Sequence, residues 1–312
     1  MSNIKTVSIP NIAWETAADI HFPPNFDESR KYPAVLSAHP IGSCKEQTSG
    51  NIYGKAMAEA GFVVIAFDAS FQGASGGQPR FIENPEFRVA DFRVVVDYVQ
   101  TLPYVDSDRI GVLGICGGGG YALNAGMTDY RLKCTVGITP VNFGRLAREG
   151  FAQFNPVGTL EAIAKQRTAE AQGAERNILQ YLPPTVEAAK NMTTDPDVTE
   201  ATDYYKTDRG RAANGCTSGL LSYNSSALAW DAFNHAEILM TKPFMVVVGD
   251  IPGSFGAYRD ALEVHGRAAA KEKEVVVLPG VSHYGLYDKP ESVKPALEKV
   301  IPFLKKHLGE VA

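Results

Sequence analysis

The stretch DRIGVLGICGGGGYAL, residues 108–123, runs an apolar segment that reads as a buried strand into a cysteine and four glycines, where a helix should begin. Gly114-Ile115-Cys116-Gly117-Gly118 has the glycine–x–nucleophile–x–glycine form of a nucleophile elbow, in the strand-to-helix context that this motif requires. At such a turn the nucleophile is held in a strained backbone conformation, and its flanking residues must lack bulk so that strand and helix can approach; Gly114 and Gly118 meet that need. The start of the helix is expected to favour the Cys116 thiolate through its dipole, and it leaves the Gly117 N–H free to donate to a developing oxyanion. A phosphate-binding loop is the competing reading. GICGGGG does not match GxxxxGK[ST], and a dinucleotide GxGxxG would need its first glycine elsewhere and an acid about 20 residues further on.

Outward from the elbow, apolar runs alternate with amphipathic stretches. PAVLSAHP and GFVVIAFD read as strands upstream, 52–60 and 87–102 as helices, and LKCTVGITP as a strand downstream. This alternation predicts a mostly parallel sheet covered by helices on both faces. It stops near Val141, and as far as Thr241 the chain reads as helical and polar. PVGTLEAIAKQRTAEAQGAERNILQYL is the clearest helix there; Pro183-Pro184 and NMTTDPDVTEATD break the pattern. It resumes with PFMVVVGD, a helix over 257–270, the strand EVVVLPG and a closing helix over 292–307. The expected organisation is an α/β core, residues 1–142 and 242–312, interrupted by an inserted helical cap at 143–241. Ahead of Pro33, TVSIP and AADIHFP predict two antiparallel edge strands.

A cysteine nucleophile needs a base and an orienting acid, and hydrolases with this elbow bring them in the order nucleophile, acid, base. PFMVVVGD places Asp250 just past the first strand after the insertion, and LPGVSHYGLYD places His283 after the last strand, on the same sheet edge as Cys116. The other histidines lie elsewhere: His39 opens a loop of its own, His21 is near the start, His235 is in the insertion, and His265 and His307 are on helices. Asp288 and Asp260 are weaker candidates for the acid, and the strand ending at Thr139 is followed by PVNF, without an acid. The loop HPIGSCKEQTSG, residues 39–50, can supply a second oxyanion N–H. Pro40 has none, which leaves Ile41, first by position, or Gly42. Cys44 and Lys45 read as a solvated part of this loop, and Cys134 as a small buried hydrophobe.

With 312 residues, 45% of them hydrophobic and 21% charged, the chain can bury a large core. A formal charge of −5 without a basic run argues against a nucleic-acid partner, and no segment has the roughly 18 uninterrupted apolar residues of a membrane helix. The opening residues lack the apolar stretch of a secretory signal, so a cytoplasmic location is expected. The four cysteines, Cys44, Cys116, Cys134 and Cys216, are scattered singly, and no HExxH or similar spacing points to a metal; no cofactor is expected.

With elbow, acid and base in this order the sequence resembles the α/β-hydrolase superfamily across nearly the whole chain outside the insertion. HPIGSCKEQT, GFVVIAFDASFQGASGGQPRFIENP, VDSDRIGVLGICGGGGYAL and GVSHYGLYD are similar to the bacterial and fungal group of polyketide transferases and thiohydrolases with a cysteine nucleophile. The resemblance implies triad roles for Cys116, Asp250 and His283, and it marks KEQT and QPRFIENP as family signatures. Dienelactone hydrolases share the cysteine elbow but are shorter and lack such an insertion. X-prolyl peptidase-like relatives share the core and use serine, which sets this cysteine-bearing chain apart from them. Asp68 and Arg80 are expected to pair within the loop after the strand beside the elbow. The expected reaction is acyl transfer on a small-molecule ester, thioester or lactone through a thioester on Cys116, with Ile41 and Gly117 holding the oxyanion. A homodimer is a common state for this architecture. The alternatives are a non-catalytic binding protein, or a redox-sensitive one in which Cys44 and Cys116 form a disulfide.

Overall fold

A computed structural model describes residues 4–149 and 155–310. Among them the main sheet has eight strands, with β1 (Ile4–Pro10) and β2 (Glu15–His21) forming an antiparallel edge. Inward from these follow β4 (Val63–Phe67), β3 (Tyr32–Ala38), β5 (Val105–Ile115) and β6 (Leu132–Ile138), all parallel. β9 (Phe244–Gly249) and β10 (Lys273–Leu278) continue the parallel part to the far edge. Every residue of β3 and β4 is buried, because helices cover both faces, and this is why those strands read as unbroken apolar runs.

Of those helices, α1 (Lys55–Glu59) follows a widened helical turn, Thr48–Gly54, in which the Lys55 N–H reaches back to Gly50 O; the helix expected over 52–60 therefore begins differently. α2 (Pro85–Val99) starts where Asn84 accepts from the Glu86 and Phe87 N–H groups, with Pro85 in the first turn, where its missing N–H costs nothing. α3 (Gly117–Thr128) grows out of the elbow and packs its Tyr121, Ala122 and Ala125 into the core beside β5 and β6.

Between β6 and β9 lie α4 (Phe143–Glu149), α5 (Pro156–Ala171), α6 (Val186–Met192), α7 (Pro196–Lys206), α8 (Ser225–Ala229) and α9 (Ala236–Leu239). This span, expected to be helical, also carries a small antiparallel pair, β7 (Ile178–Gln180) with β8 (Ser218–Leu220). Of the apolar segment FAQFNP, residues 151–154 lie outside the described residues. The chain closes with α10 (Ala257–Arg267), the short α11 (Gly285–Asp288) and α12 (Pro290–Leu308), which buries Val293, Ala296, Val300 and Phe303 at helical spacing.

The loop after β4 departs from expectation. Asp68 and Arg80 do not pair: the Asp68 carboxylate accepts the Lys45 and Ala74 N–H groups at 2.7 and 2.8 Å, while Arg80 donates to the Gly73 and Ser75 carbonyls. Both brace the loop through its backbone, which consumes the buried carboxylate before a charged partner can reach it.

Candidate active site

The elbow forms where β5 ends. Cys116 has φ 54° and ψ −125°, a conformation uncommon for a residue with a side chain. It is held there from both sides: its N–H donates to Ile138 O at 2.9 Å, and its carbonyl accepts from Gly119, Gly120 and Val141 N–H. The glycines are needed for close approach. A Cβ on Gly114 would lie 2.1 Å from Gly118 O, and one on Gly118 would lie 2.5 Å from His39 O.

The expected thiolate does not form at rest. Cys116 is only 6% exposed, and burial pushes its thiol up to about 12 although the Tyr287 hydroxyl and the Gly117 N–H beside the sulfur favour the anion. The helix dipole contributes about 1 kcal/mol in most settings, too little to offset that desolvation.

His283 lies in the loop after β10 and is equally enclosed. Its Nδ1 shares a hydrogen bond of 2.8 Å with the Thr139 hydroxyl, its Nε2 is buried without a partner, and burial pushes its pKa down to about 3. It stands among the rings of Tyr284, Phe255 and Tyr287, whose centroids lie 5.1, 5.3 and 5.6 Å away. All three rings also line the cavity that Cys116 opens into. No hydrogen bond joins Cys116 to His283 among the described residues, so the structure brings a neutral thiol and a neutral imidazole to adjoining walls without linking them.

Among the described residues no hydrogen bond joins Asp250 to His283: its N–H continues the ladder to Leu278 O, and its exposed carboxylate accepts the Gly280 N–H at 2.7 Å. The weaker candidates are also engaged, Asp288 by Arg209 and Asp260 by Arg145. Thr139 stands at His283 Nδ1 instead, and an uncharged residue past β6 carries no sign of that role in the sequence. Its φ of 42° is a marked outlier for a β-branched residue, and sequence gives no sign of it.

On the other side of Cys116, Ile41 packs its side chain over Gly117, where a Cβ would lie 2.5 Å from Ile41 Cγ1 and Cδ1. Neither the Ile41 nor the Gly117 N–H donates to a backbone carbonyl of the described residues, and the Gly117 N–H faces the Cys116 sulfur instead. The loop carrying Ile41 is fixed from below. His39 Nε2 accepts the Ala69 N–H at 3.0 Å, Arg88 donates to His39 O at 2.6 Å, and the buried Glu83 accepts from Tyr121 at 2.8 Å and faces Arg88. KEQT does similar work: Gln47 accepts from Ser43 Oγ and the Cys44 N–H, and Thr48 Oγ1 donates to Tyr287 O at 2.7 Å. KEQT thus ties the Ile41 loop to the His283 loop, while Glu83 of QPRFIENP braces the Arg88 that holds the Ile41 loop from below. Cys44 and Lys45 are buried rather than solvated, with Lys45 paired to Asp19 at 2.6 Å.

Two hollows flank this wall. One, of about 280 Å³, is lined by Cys116, Ile41, Phe143 and Leu146 and roofed by Leu179, Tyr205 and Leu228 from the span between β6 and β9. The other, of about 320 Å³, is lined by Thr139, His283, Asp197, Arg145 and Glu149. Among the described residues, no group of His, Cys, Asp or Glu side chains is arranged to hold a metal ion, and no helix is long and apolar enough to cross a membrane.

Residues 15–207 match the family model described as X-Pro dipeptidyl-peptidase (S15 family). The chain belongs to this family. Setting it apart from X-prolyl peptidase-like proteins on the strength of Cys116 is thereby overturned at the family level: a family pattern rests on the whole core, and the nucleophile is one position in it. The S15 chain is 36% identical to the uncharacterized protein YcjY of Escherichia coli (strain K12) over 311 residues, 98% of this chain and 97% of that one. It superposes on the crystal structure of hypothetical protein PA2218 from Pseudomonas aeruginosa with a TM-score of 0.87 at 31% identity, covering 98% of this chain and 94% of that one. It is 23% identical to the polyketide transferase grgF of a Penicillium species over 287 residues, 91% of each chain. The crystal structure of the α/β hydrolase GrgF superposes with a TM-score of 0.75 at 19% identity, covering 98% and 99%. The fold is that of the α/β hydrolases, and the S15 chain is a hydrolase of that superfamily.

Proposed function

We propose that the protein transfers acyl groups from small-molecule esters, thioesters or lactones through a thioester on Cys116. The observation that carries this reading is the strained elbow that sets the Cys116 sulfur on the wall of an apolar cavity, with the Ile41 and Gly117 N–H groups beside it uncommitted to any backbone carbonyl of the described residues. His283 takes the thiol proton as the sulfur attacks the carbonyl carbon. The two N–H groups hold the tetrahedral oxyanion, and the leaving group departs with the proton from His283. Water or a second acceptor, deprotonated by His283, then releases the acyl group. With thiol and imidazole both neutral at rest, proton transfer accompanies attack, and substrate binding closes the gap between the two groups. A thiolate is a better leaving group than an alkoxide or amine, so activated acyl donors suit this centre better than peptides. The span roofing the cavity acts as a lid over an apolar acyl chain. The likeness to a polyketide transferase supports acyl transfer. Burial raises the thiols of both Cys44 and Cys116, which disfavours the redox-sensor reading.

The test is intact-protein mass spectrometry of wild type and Cys116→Ala mixed with p-nitrophenyl esters and acyl thioesters, while leaving-group release is followed. An acyl adduct and turnover in wild type, both absent from the variant, are expected. Equal adducts or equal turnover in the two proteins would overturn the assignment.

A further inference from the structure

Asp197 begins α7, in the span between β6 and β9, yet its carboxyl group lies against the loop that follows β9. A Cβ built on Gly253 would fall 2.1 to 2.3 Å from the Asp197 carboxyl carbon and oxygens, so this carboxylate fills the volume that a side chain at 253 would take. Gly253 lies in the loop where hydrolases of this chain order carry the acid that serves the histidine. One Asp197 oxygen accepts the Phe255 N–H at 2.8 Å; the other accepts no hydrogen bond from the described residues. The side chain is almost wholly buried, at 2% exposure, and it walls the same polar pocket as Thr139 and His283.

We propose that Asp197 is the carboxylate that serves His283, delivered to the core by the inserted span in place of a residue on the loop after β9. This inference rests on the roles given above to Cys116 and His283. When the thiol proton passes to His283, an imidazolium forms in surroundings that strongly disfavour charge, and the Thr139 hydroxyl can orient the ring without balancing it. An ionised Asp197 across the pocket supplies the opposite charge and keeps its own protonation state; the proton later leaves with the departing group. The other charged groups near the pocket are already committed. Arg145 of α4 pairs with Asp260 and Glu149, and Arg259 of α10 also pairs with Glu149. Burial opposes the ionisation of Asp197, as do to a smaller degree the neighbouring Asp195 and Glu200, and against the pull of the Phe255 N–H they raise it to about 7. His283 titrates far below that and Cys116 far above, so a limb near pH 7 in the rate reports Asp197.

The experiment measures kcat/KM against pH for wild type, His283→Ala, Asp197→Asn and the double variant Asp197→Gly/Gly253→Asp, with melting temperatures at each pH. Asp197→Asn keeps an acceptor for the Phe255 N–H while removing the charge. Its kcat/KM is expected to fall about tenfold to hundredfold, and the rise in rate between pH 6 and 8 to disappear. The double variant returns a carboxylate to the same volume from the other side, and recovery of most of the lost rate is expected. If Asp197→Asn fails to fold, the double variant decides the question alone. A wild-type rate with an unchanged pH profile in Asp197→Asn, or a folded double variant with no recovery, overturns the inference. Should His283→Ala retain full activity, the underlying assignment fails instead, so the two failures are distinguishable.

Discussion

The two hollows on either side of the Cys116–His283 wall differ in chemistry more than in size. The one that Cys116 opens into is bounded mostly by aliphatic and aromatic side chains, whereas the one behind His283 mixes arginine, glutamate, aspartate and threonine with Ile251, Pro252, Ala257 and Tyr258. An acyl chain gains about 25 cal/mol for each Å² of apolar surface it removes from water, and the first hollow offers more apolar surface than the second. Proton transfer has the opposite needs, because a transient imidazolium is tolerable only next to polar groups. Phe255, Tyr284 and Tyr287, which stand around His283, also line the apolar cavity. In the proposed reaction, aromatic rings would stand between substrate recognition and charge management.

Filling the apolar side breaks the comparison most visibly. Ala147 lines that cavity from α4, so Ala147→Leu shortens the room for an acyl chain without touching the polar pocket. The ratio of kcat/KM for octanoyl to butyryl p-nitrophenyl esters is expected to fall about tenfold to hundredfold, the range that one to a few methylenes command in an apolar pocket. The pH profile should not move. Equal slowing of both esters would mean that the cavity is not where the acyl chain lies.

Much of this architecture was legible in the sequence because it depends on local pattern. Unbroken apolar runs announced β3, β4 and β5, and the spacing of Gly114 and Gly118 around Cys116 announced a turn where backbones nearly touch. The site was legible as far as its strand ends: Cys116, His283 and Ile41 all follow the carboxyl ends of strands, as predicted. What failed required three dimensions. Asp250 stands at the right place along the chain, but its side chain points toward the turn after β10, and a strand-end position alone does not fix a direction. Thr139 carries no charge to draw attention, and Asp197 comes from a span read as a cap, 53 residues before Asp250 in the chain (250 − 197). The protonation states were misjudged for a related reason. A helix start is visible in sequence, whereas the near-complete burial that keeps Cys116 a thiol is a property of everything packed around it.

A smaller effect sharpens the comparison within the polar side itself, between orienting His283 and balancing its charge. Thr139→Val keeps the β-branched shape at a residue whose φ of 42° already suits such a side chain poorly, and it removes only the hydroxyl bonded to His283 Nδ1. A net hydrogen bond of about 1 kcal/mol sets the scale, so kcat should fall about three- to tenfold with KM unchanged. Thr139→Ser should restore the rate. The limb near pH 7 should persist in Thr139→Val, because the group proposed to titrate there is Asp197 and the valine leaves it in place. If the valine variant loses that limb as well, the hydroxyl relays the charge, and orientation and charge balance are one function carried by two residues in series.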